Sequence, residues 1–345
     1  MGFRTRLVRF SLPDGAIEAR RSVPWQPGPR AVEAPGSARL DSWSGPLLAR
    51  TRDGTDLVAL LRDPVSPRDR IAVLDARSLR ARCSIPLAQG VRYTGMALGR
   101  SRAYAYGARR TSRGRWDAVL TVADLRTGAP ARTRTVRESG GDGKDWYVYW
   151  GALSEDERRL VLSYHGGDTT GADWHRVSPG GRVSPGGAAG GTDIGWAHGG
   201  VEAAGAGFVA ATGRDRLLVL DREGRTTRRL PVRATKSHLM DFAVDPDGRF
   251  AYVSGCGTRP ALQRVGLASA GGRRMPTGNV CGRPLAVHDN RYVVLDANRV
   301  GRLGFQGRPE GIHVLDLSHP GAGRRVPLPR SAHALDAMIV GAPSG

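Results

Sequence analysis

Apolar and polar residues alternate along the chain in short runs, and the runs come in pairs joined by polar turns. The clearest pair is HLMDFAVDPDGRFAYVSG at 238–255. There Leu239, Phe242 and Val244 precede the polar Asp245-Pro246-Asp247-Gly248, and Phe250, Tyr252 and Val253 follow it. A period of two bounded by turn residues predicts two half-buried strands and a tight turn, a β-hairpin. Weaker copies are PLLARTRDGTDLVALL, YTGMALGRSRAYAYG, YVYWGALSEDERRLVLSY, GGVEAAGAGFVAATG and RPLAVHDNRYVVLD. A second, arginine-rich hairpin alternates with them and begins at Arg6, Arg70, Ala118, Ala172, Asp215, Pro260 and Glu310.

Two hairpins make a four-stranded antiparallel unit, and the units repeat about every 50 residues. Short strands with a four-strand period are the signature of a β-propeller, whose closed ring leaves only short edges. The chain opens on the second hairpin of a unit and finishes on what reads as the first strand of one, HALDAMIVG from His333. The expectation is one all-β domain, a seven-bladed propeller, with 1–30 as outer strands of the closing blade, 40–330 as six blades and 331–345 as its inner strand. One strand of that blade is missing, which predicts an upstream segment carrying it after a signal peptide or lipid anchor.

The pairs VDPDGRFAYVSG and LSEDERRLVLSYHG resemble the YVTN-type and WD40-like propeller repeats of bacteria, in which a Pro-Asp-Gly-like turn joins strands one and two and Tyr-Val lies on strand two. The blade from His238 carries the match best. Gly205-Ala206-Gly207 and Gly99-Arg100-Ser101 depart from the turn pattern, and no Trp-Asp dipeptide closes the blades. The resemblance implies the fold and fixes no activity, since propellers serve as scaffolds, lyases, lactonases and dehydrogenases alike.

Composition changes this picture little. Gly (48) and Pro (22) make about a fifth of the 345 residues, against a usual share of roughly 12%, as many turns require. The charge of +20 invites a nucleic-acid reading, yet of the 52 basic residues only Lys144 and Lys236 are lysine. That bias matches the codon usage of a GC-rich genome, as in actinobacteria. The arginines are scattered in stretches such as RARCSIPL, TRRLPV and GRRVPLP rather than blocked with aromatics, so a protein or glycan partner is expected ahead of nucleic acid. An anionic cell-wall polymer or membrane surface is a further, salt-dependent partner that the charge permits. No apolar stretch reaches the roughly 18 residues of a membrane span, and MGFRTRLVRFSLPDG lacks the apolar core of a signal peptide. The expectation is a monomer outside the cytoplasm, secreted or at the cell surface, with a cytoplasmic protein as the alternative.

Candidate chemistry gathers on the face where first strands begin. Aligning the first hairpins on their turns puts Ser44, Arg92, Tyr147, His198, His238, Cys281 and His333 in register. Three imidazoles at equivalent positions could face a channel mouth and hold a divalent metal or work as acid and base. A loop residue ahead of a strand is also commonly polar for structural reasons. SYHGGDTTGADWH at 163–175 reads as a polar loop in place of the short turn between strands two and three, and it brings His165, Asp168, Asp173 and His175 together. Carboxylates with imidazoles suit a metal or a polyol, while Asp and Thr also cap their own backbone in ordinary loops. His165, Asp168, Asp173, His198, His238 and His333 are therefore the metal candidates, and Tyr147, Trp174 and His175 the ligand-binding candidates.

Trp146, Tyr147, Tyr149, Trp150, Trp174 and Trp196 flank this region and suit sugar stacking or a protein hot spot. Alternation within DWYVYWGAL assigns about half of them to the core. Cys256 and Cys281 fall on one face of adjacent blades; a disulfide there would close a loop of about 25 residues, worth ~3–4 kcal/mol, and imply an oxidising compartment. Three free thiols, with Cys83 left over, are the alternative. No GxSxG elbow, P-loop, dinucleotide fingerprint or HExxH is present, so no nucleotide cofactor is expected. The two functional readings are a non-catalytic binding or scaffold propeller and a metal-dependent lactonase- or lyase-like enzyme.

Overall fold

The structure, a computed structural model, describes residues 6–12, 15–22, 26–27, 47–51, 55–62, 68–129, 132–139, 144–166, 169–189, 200–212, 216–232, 242–255, 261–269, 271–277, 280–288, 290–299, 309–319 and 323–327. Every described element of regular structure is a strand. Strands β1 (Arg6–Phe10) and β2 (Ile17–Ser22) form a hairpin. The first sheet contains β3 (Gln26–Pro27), β4 (Leu48–Arg50), β5 (Asp56–Arg62), β6 (Asp69–Asp75) and β7 (Ala81–Pro86). Its β3 and β4 lie one after the other along the same edge of β5, so together they fill the place of a first strand.

Five four-stranded sheets follow, each with its strands hydrogen-bonded in chain order. The second has β8 (Val91–Leu98), β9 (Arg102–Arg110), β10 (Trp116–Asp124) and β11 (Arg132–Arg137); the third has β12 (Tyr147–Leu153), β13 (Arg159–Gly166), β14 (Thr169–Val177) and β15 (Val183–Ala189). The fourth has β16 (Val201–Ala204), β17 (Gly207–Thr212), β18 (Arg216–Leu220) and β19 (Thr226–Pro231); the fifth has β20 (Phe242–Val244), β21 (Phe250–Gly255), β22 (Ala261–Gly266) and β23 (Gly272–Pro276). The sixth has β24 (Val280–His288), β25 (Tyr292–Arg299), β26 (Pro309–Asp316) and β27 (Arg324–Arg325). All pairings are antiparallel, and the expected two-hairpin unit recurs in each sheet. Among the described residues this makes six blades, with the opening hairpin besides.

The turns show why the sequence folds this way. In the opening phrase Asp245 Oδ1 accepts the N–H groups of Arg249 and Phe250, both at 2.7 Å, and Gly248 N–H returns to the Asp245 carbonyl. Gly248 sits at φ +65°, where a side chain is strained, and a Cβ there would come within 2.8 Å of the Gly205 amide nitrogen of the preceding blade. A second cap recurs after third strands. Asp75, Asp124, Asp221 and Asp316 each fold a carboxylate back onto turn N–H groups, those of Ser78, Thr127, Arg225 and Ser318 among them. The backbone and side chain of Ser78, with Arg82, hold the Asp75 carboxyl below the usual carboxylate range, and Arg291 with Ser318 does the same for Asp316.

The chain divides into two compact units, one carrying Arg20–Ala188 and the other Val8–Ala19 with Ala189–Ile339. In the first, the second and third sheets pack through Tyr104, Tyr106, Leu120, Val148, Leu162 and Tyr164. In the second, the fourth sheet packs on the fifth around Leu217, Phe242 and Val265, and the fifth on the sixth around Tyr252, Leu262 and Leu295. Phe10, Leu12 and Ile17 of the opening hairpin pack against Tyr292, Val294, Ile312 and Val326 of the sixth. No helix among the described residues is long and apolar enough to cross a membrane.

Two readings of the chain are corrected here. Residues 163–175 are not a loop: β13 runs through Gly166 and β14 begins at Thr169, with eight residue pairs from Arg159↔Arg176 to Gly166↔Thr169 in register. A ladder is made of backbone bonds, so polar side chains do not prevent it from continuing. The inner strands also carry bulges that no turn-based alignment sees. The register slips at Tyr93/Gly95, Val148/Trp150 and Pro284/Ala286, so Arg283, and not Cys281, is the residue equivalent to Arg92 and Tyr147.

Candidate functional site

Antiparallel order places the start of a first strand, the end of the second and the start of the third at one end of a sheet. At that end of the second and third sheets lie Arg92 and Trp116, which open β8 and β10, and Tyr147 and His165, which open β12 and close β13. The chain entering the third sheet is pinned there by the second: Asp145 Oδ1 accepts the Trp116 N–H at 3.0 Å, and Trp146 N–H donates to the Trp116 carbonyl at 2.8 Å. The two bulges meet as well, since the Thr94 hydroxyl donates to the Val148 carbonyl across the sheets. Opposite the first bulge stands Gly107, where a Cβ would collide with the Arg92 carbonyl.

The result is a continuous row of rings. The Arg92 guanidinium lies 4.6 Å from the Trp116 centroid, Trp116 lies 5.8 Å from Tyr147, Tyr147 6.2 Å from Tyr149, and Tyr149 5.6 Å from His165, edge to face. Tyr149 is the extra residue of the β12 bulge, without a pairing partner on β13, and its ring lies beside that of Tyr147 two residues before it. All four rings are half-buried and Arg92 is exposed. Burial, then the Asp145 carboxylate, pushes the Tyr147 phenol up to about 12, so it is a neutral donor at physiological pH. Exposed Arg109, Arg110 and Arg115 surround the Trp116 end.

Beneath the row the side chains are structural. Trp146 is buried with the Arg137 guanidinium 3.8 Å from its ring, and Arg137 also pairs with Asp173 at 3.7 Å. Burial raises the Asp173 carboxyl, and Arg137 opposes that. His175 is 2% exposed; its Nε2 meets the Tyr164 hydroxyl at 3.0 Å, its Nδ1 has no partner, and burial pushes it down to about 4. Trp174 is buried across Gly186, with Arg159 and Arg176 stacked on it at 5.2 and 5.4 Å.

Of the candidate residues, the structure brings Tyr147 and His165 into the row. It places Asp173, Trp174 and His175 on β14, in the blade's packing. Asp168, His198, His238, His333 and Cys256 lie outside the described residues, as does the side chain of Cys281. Among the described residues no three His, Cys, Asp or Glu side chains gather around a common point. Cys83 is an exposed free thiol on β7, raised by partial burial and by Asp56. Trp116 was missed because the second hairpin was started at Ala118. Its position at the head of a third strand, opposite Arg110, is the signal that marks it.

No family model and no curated protein sequence matches the chain. Solved structures do. A Kuenenia stuttgartiensis hydrazine synthase chain is 15% identical with a TM-score of 0.55, covering 82% of this chain and 80% of that one. The Cps50 (Swd1) β-propeller domain of Myceliophteria thermophila is 12% identical with a TM-score of 0.55, covering 81% and 85%. The fold is a β-propeller. An oligogalacturonate lyase in complex with manganese is 14% identical with a TM-score of 0.57, covering 94% of this propeller and 84% of that chain. At these identities the likeness is one of fold, and the three neighbours differ in what they do.

Proposed function

We propose that the protein is a non-catalytic binding propeller and that its ligand is a glycan laid along the row from Arg92 through Trp116, Tyr147 and Tyr149 to His165. The observation that carries this reading is the row itself: four contiguous half-exposed rings with polar edges, held by bonds between two blades. An open row suits stacking of sugar faces, with hydroxyls bonded by Arg92 and the Tyr147 phenol. A protein hot spot would instead call for a desolvated pocket ringed by neutral contacts. The ring closes as a single seven-bladed domain in this reading, the opening hairpin taking its place beside the sixth blade, where Phe10, Leu12 and Ile17 already pack.

The test is an immobilised glycan panel probed with the wild type, Trp116→Ala and Tyr147→Ala. Each substitution should weaken binding to the captured glycan about tenfold, the upper end of a stacking contact. A panel with no binder, or binders indifferent to both changes, overturns the reading. One equivalent of metal in the purified protein, lost in His165→Ala, would replace it with a metal-dependent propeller enzyme.

A further inference from the structure

The arginines scattered through the sequence become ordered in the second unit. In each of its three blades the fourth strand carries the same four residues, Arg-Arg-apolar-Pro: Arg228-Arg229-Leu230-Pro231, Arg273-Arg274-Met275-Pro276 and Arg324-Arg325-Val326-Pro327. The apolar residue is buried in all three, which puts the copies in structural register: Leu230 faces Leu217, Met275 faces Leu262, and Val326 N–H bonds the Ile312 carbonyl. Arg228, Arg273 and Arg324 are therefore equivalent. All three are exposed, and none has an ion pair or side-chain hydrogen bond among the described residues.

Among the described residues these strands are paired on one side only, so the arginines stand at sheet edges. The three sheets pack face to face in order, which sets the edges side by side, at least about 10 Å apart. The carboxylates at the adjoining turns are already engaged, Asp221 by Arg225 at 2.8 Å and Asp316 by Arg291 at 3.2 Å. The three strands hold no acidic residue. Charge on an edge strand does keep edges from pairing with one another. That need is met by any charge, whereas here the guanidinium pair, its register and its flanking residues repeat.

We propose that this edge is a docking surface for linear polyphosphate, an extended phosphate chain that passes from blade to blade. A guanidinium fork matches phosphate oxygens two at a time, and it holds its charge at every accessible pH. No aromatic residue lies among the arginines, so bases or other side groups are not stacked and recognition is of the backbone alone. The surface shares no residue with the aromatic row, and the glycan reading stands or falls without it.

Fluorescence anisotropy of the full chain with labelled linear polyphosphate, and separately with a poly(dT) oligonucleotide, tests this over a salt series. The variants are R228Q/R273Q/R324Q and a charge-matched control, R113Q/R126Q/R158Q, drawn from exposed turn arginines of the other unit. If each edge arginine holds one phosphate, the first triple lowers the slope of log affinity against log salt by about 2 and weakens binding roughly 100-fold at 0.1 M salt. The control should stay within about threefold, because none of its arginines belongs to the edge strands. Loss with polyphosphate alone supports the proposal, and equal loss with both replaces polyphosphate with phosphate backbones in general and overturns it. Equal losses in the two triples, unchanged binding with reduced solubility, or binding to heparin or anionic vesicles but to neither phosphate chain overturns the proposal.

Discussion

His175 is the residue whose surroundings make the sharpest statement. Its imidazole is buried against Tyr164, and burial carries it from 6.5 down to about 4. Between those values the unfolded chain binds a proton that the folded chain refuses. The stability this histidine contributes is therefore complete above about pH 6.5 and is lost as pH falls toward 4. Between pH 7 and pH 5 the loss is about 2 kcal/mol. The capped aspartates, held low in the folded state, lose their contribution only below about pH 4, outside that window. Asp173 acts in the opposite sense, because burial raises its carboxyl and favours the protonated form in the fold. Comparison with His175→Gln isolates the imidazole. Urea midpoints should fall between pH 7 and pH 5 in the wild type and hold nearly constant in the variant. Parallel profiles would mean that the ring is hydrated in solution.

At the scale of elements, turns and bulges carry the specificity. Gly248 and Gly128 both sit in the left-handed region, at φ +65° and +64°, but a Cβ on Gly128 meets nothing while one on Gly248 strikes the Gly205 amide of the preceding blade. Gly128→Ala should cost about 1–2 kcal/mol, the price of the backbone alone. Gly248→Ala should cost more, because the turn must also move off its neighbour; equal losses in chemical denaturation would show that the two blades do not touch there. Such turns were legible in the sequence because Asp, Pro and Gly punctuate them by known chemistry, as in Asp245-Pro246-Asp247-Gly248 and the Asp75 and Asp316 caps. The bulges were not, since an extra residue in a strand leaves no compositional mark. That is why an alignment on the turns puts Cys281 where Arg283 belongs. The strand from Thr169 is hidden for a related reason: Gly171 and Asp173 have loop-like preferences, and the ladder to β13 overrides them.

At the scale of the molecule, the repeat made the fold readable while the activity stayed unreadable, because a strand pattern shared by every blade says nothing of the side chains at their ends that choose a ligand. Phe10, Leu12 and Ile17 of the opening hairpin rest on Tyr292, Val294, Ile312 and Val326, nearly 300 residues away. Contacts this distant in sequence carry a loop-closure cost that neighbouring contacts do not, and they add to the cooperativity of the unit as well as to its stability. Phe10→Ala and Val326→Ala should each destabilise the protein, Val326 by about 1–3 kcal/mol as a fully buried residue and Phe10 by less as a half-buried one. Because both belong to one packed cluster, the double variant should fall short of the sum by about 0.5 kcal/mol or more. Urea unfolding of the four proteins measures this cycle. Strict additivity would mean that the hairpin is anchored elsewhere in solution, and the closure of the chain would then need another partner.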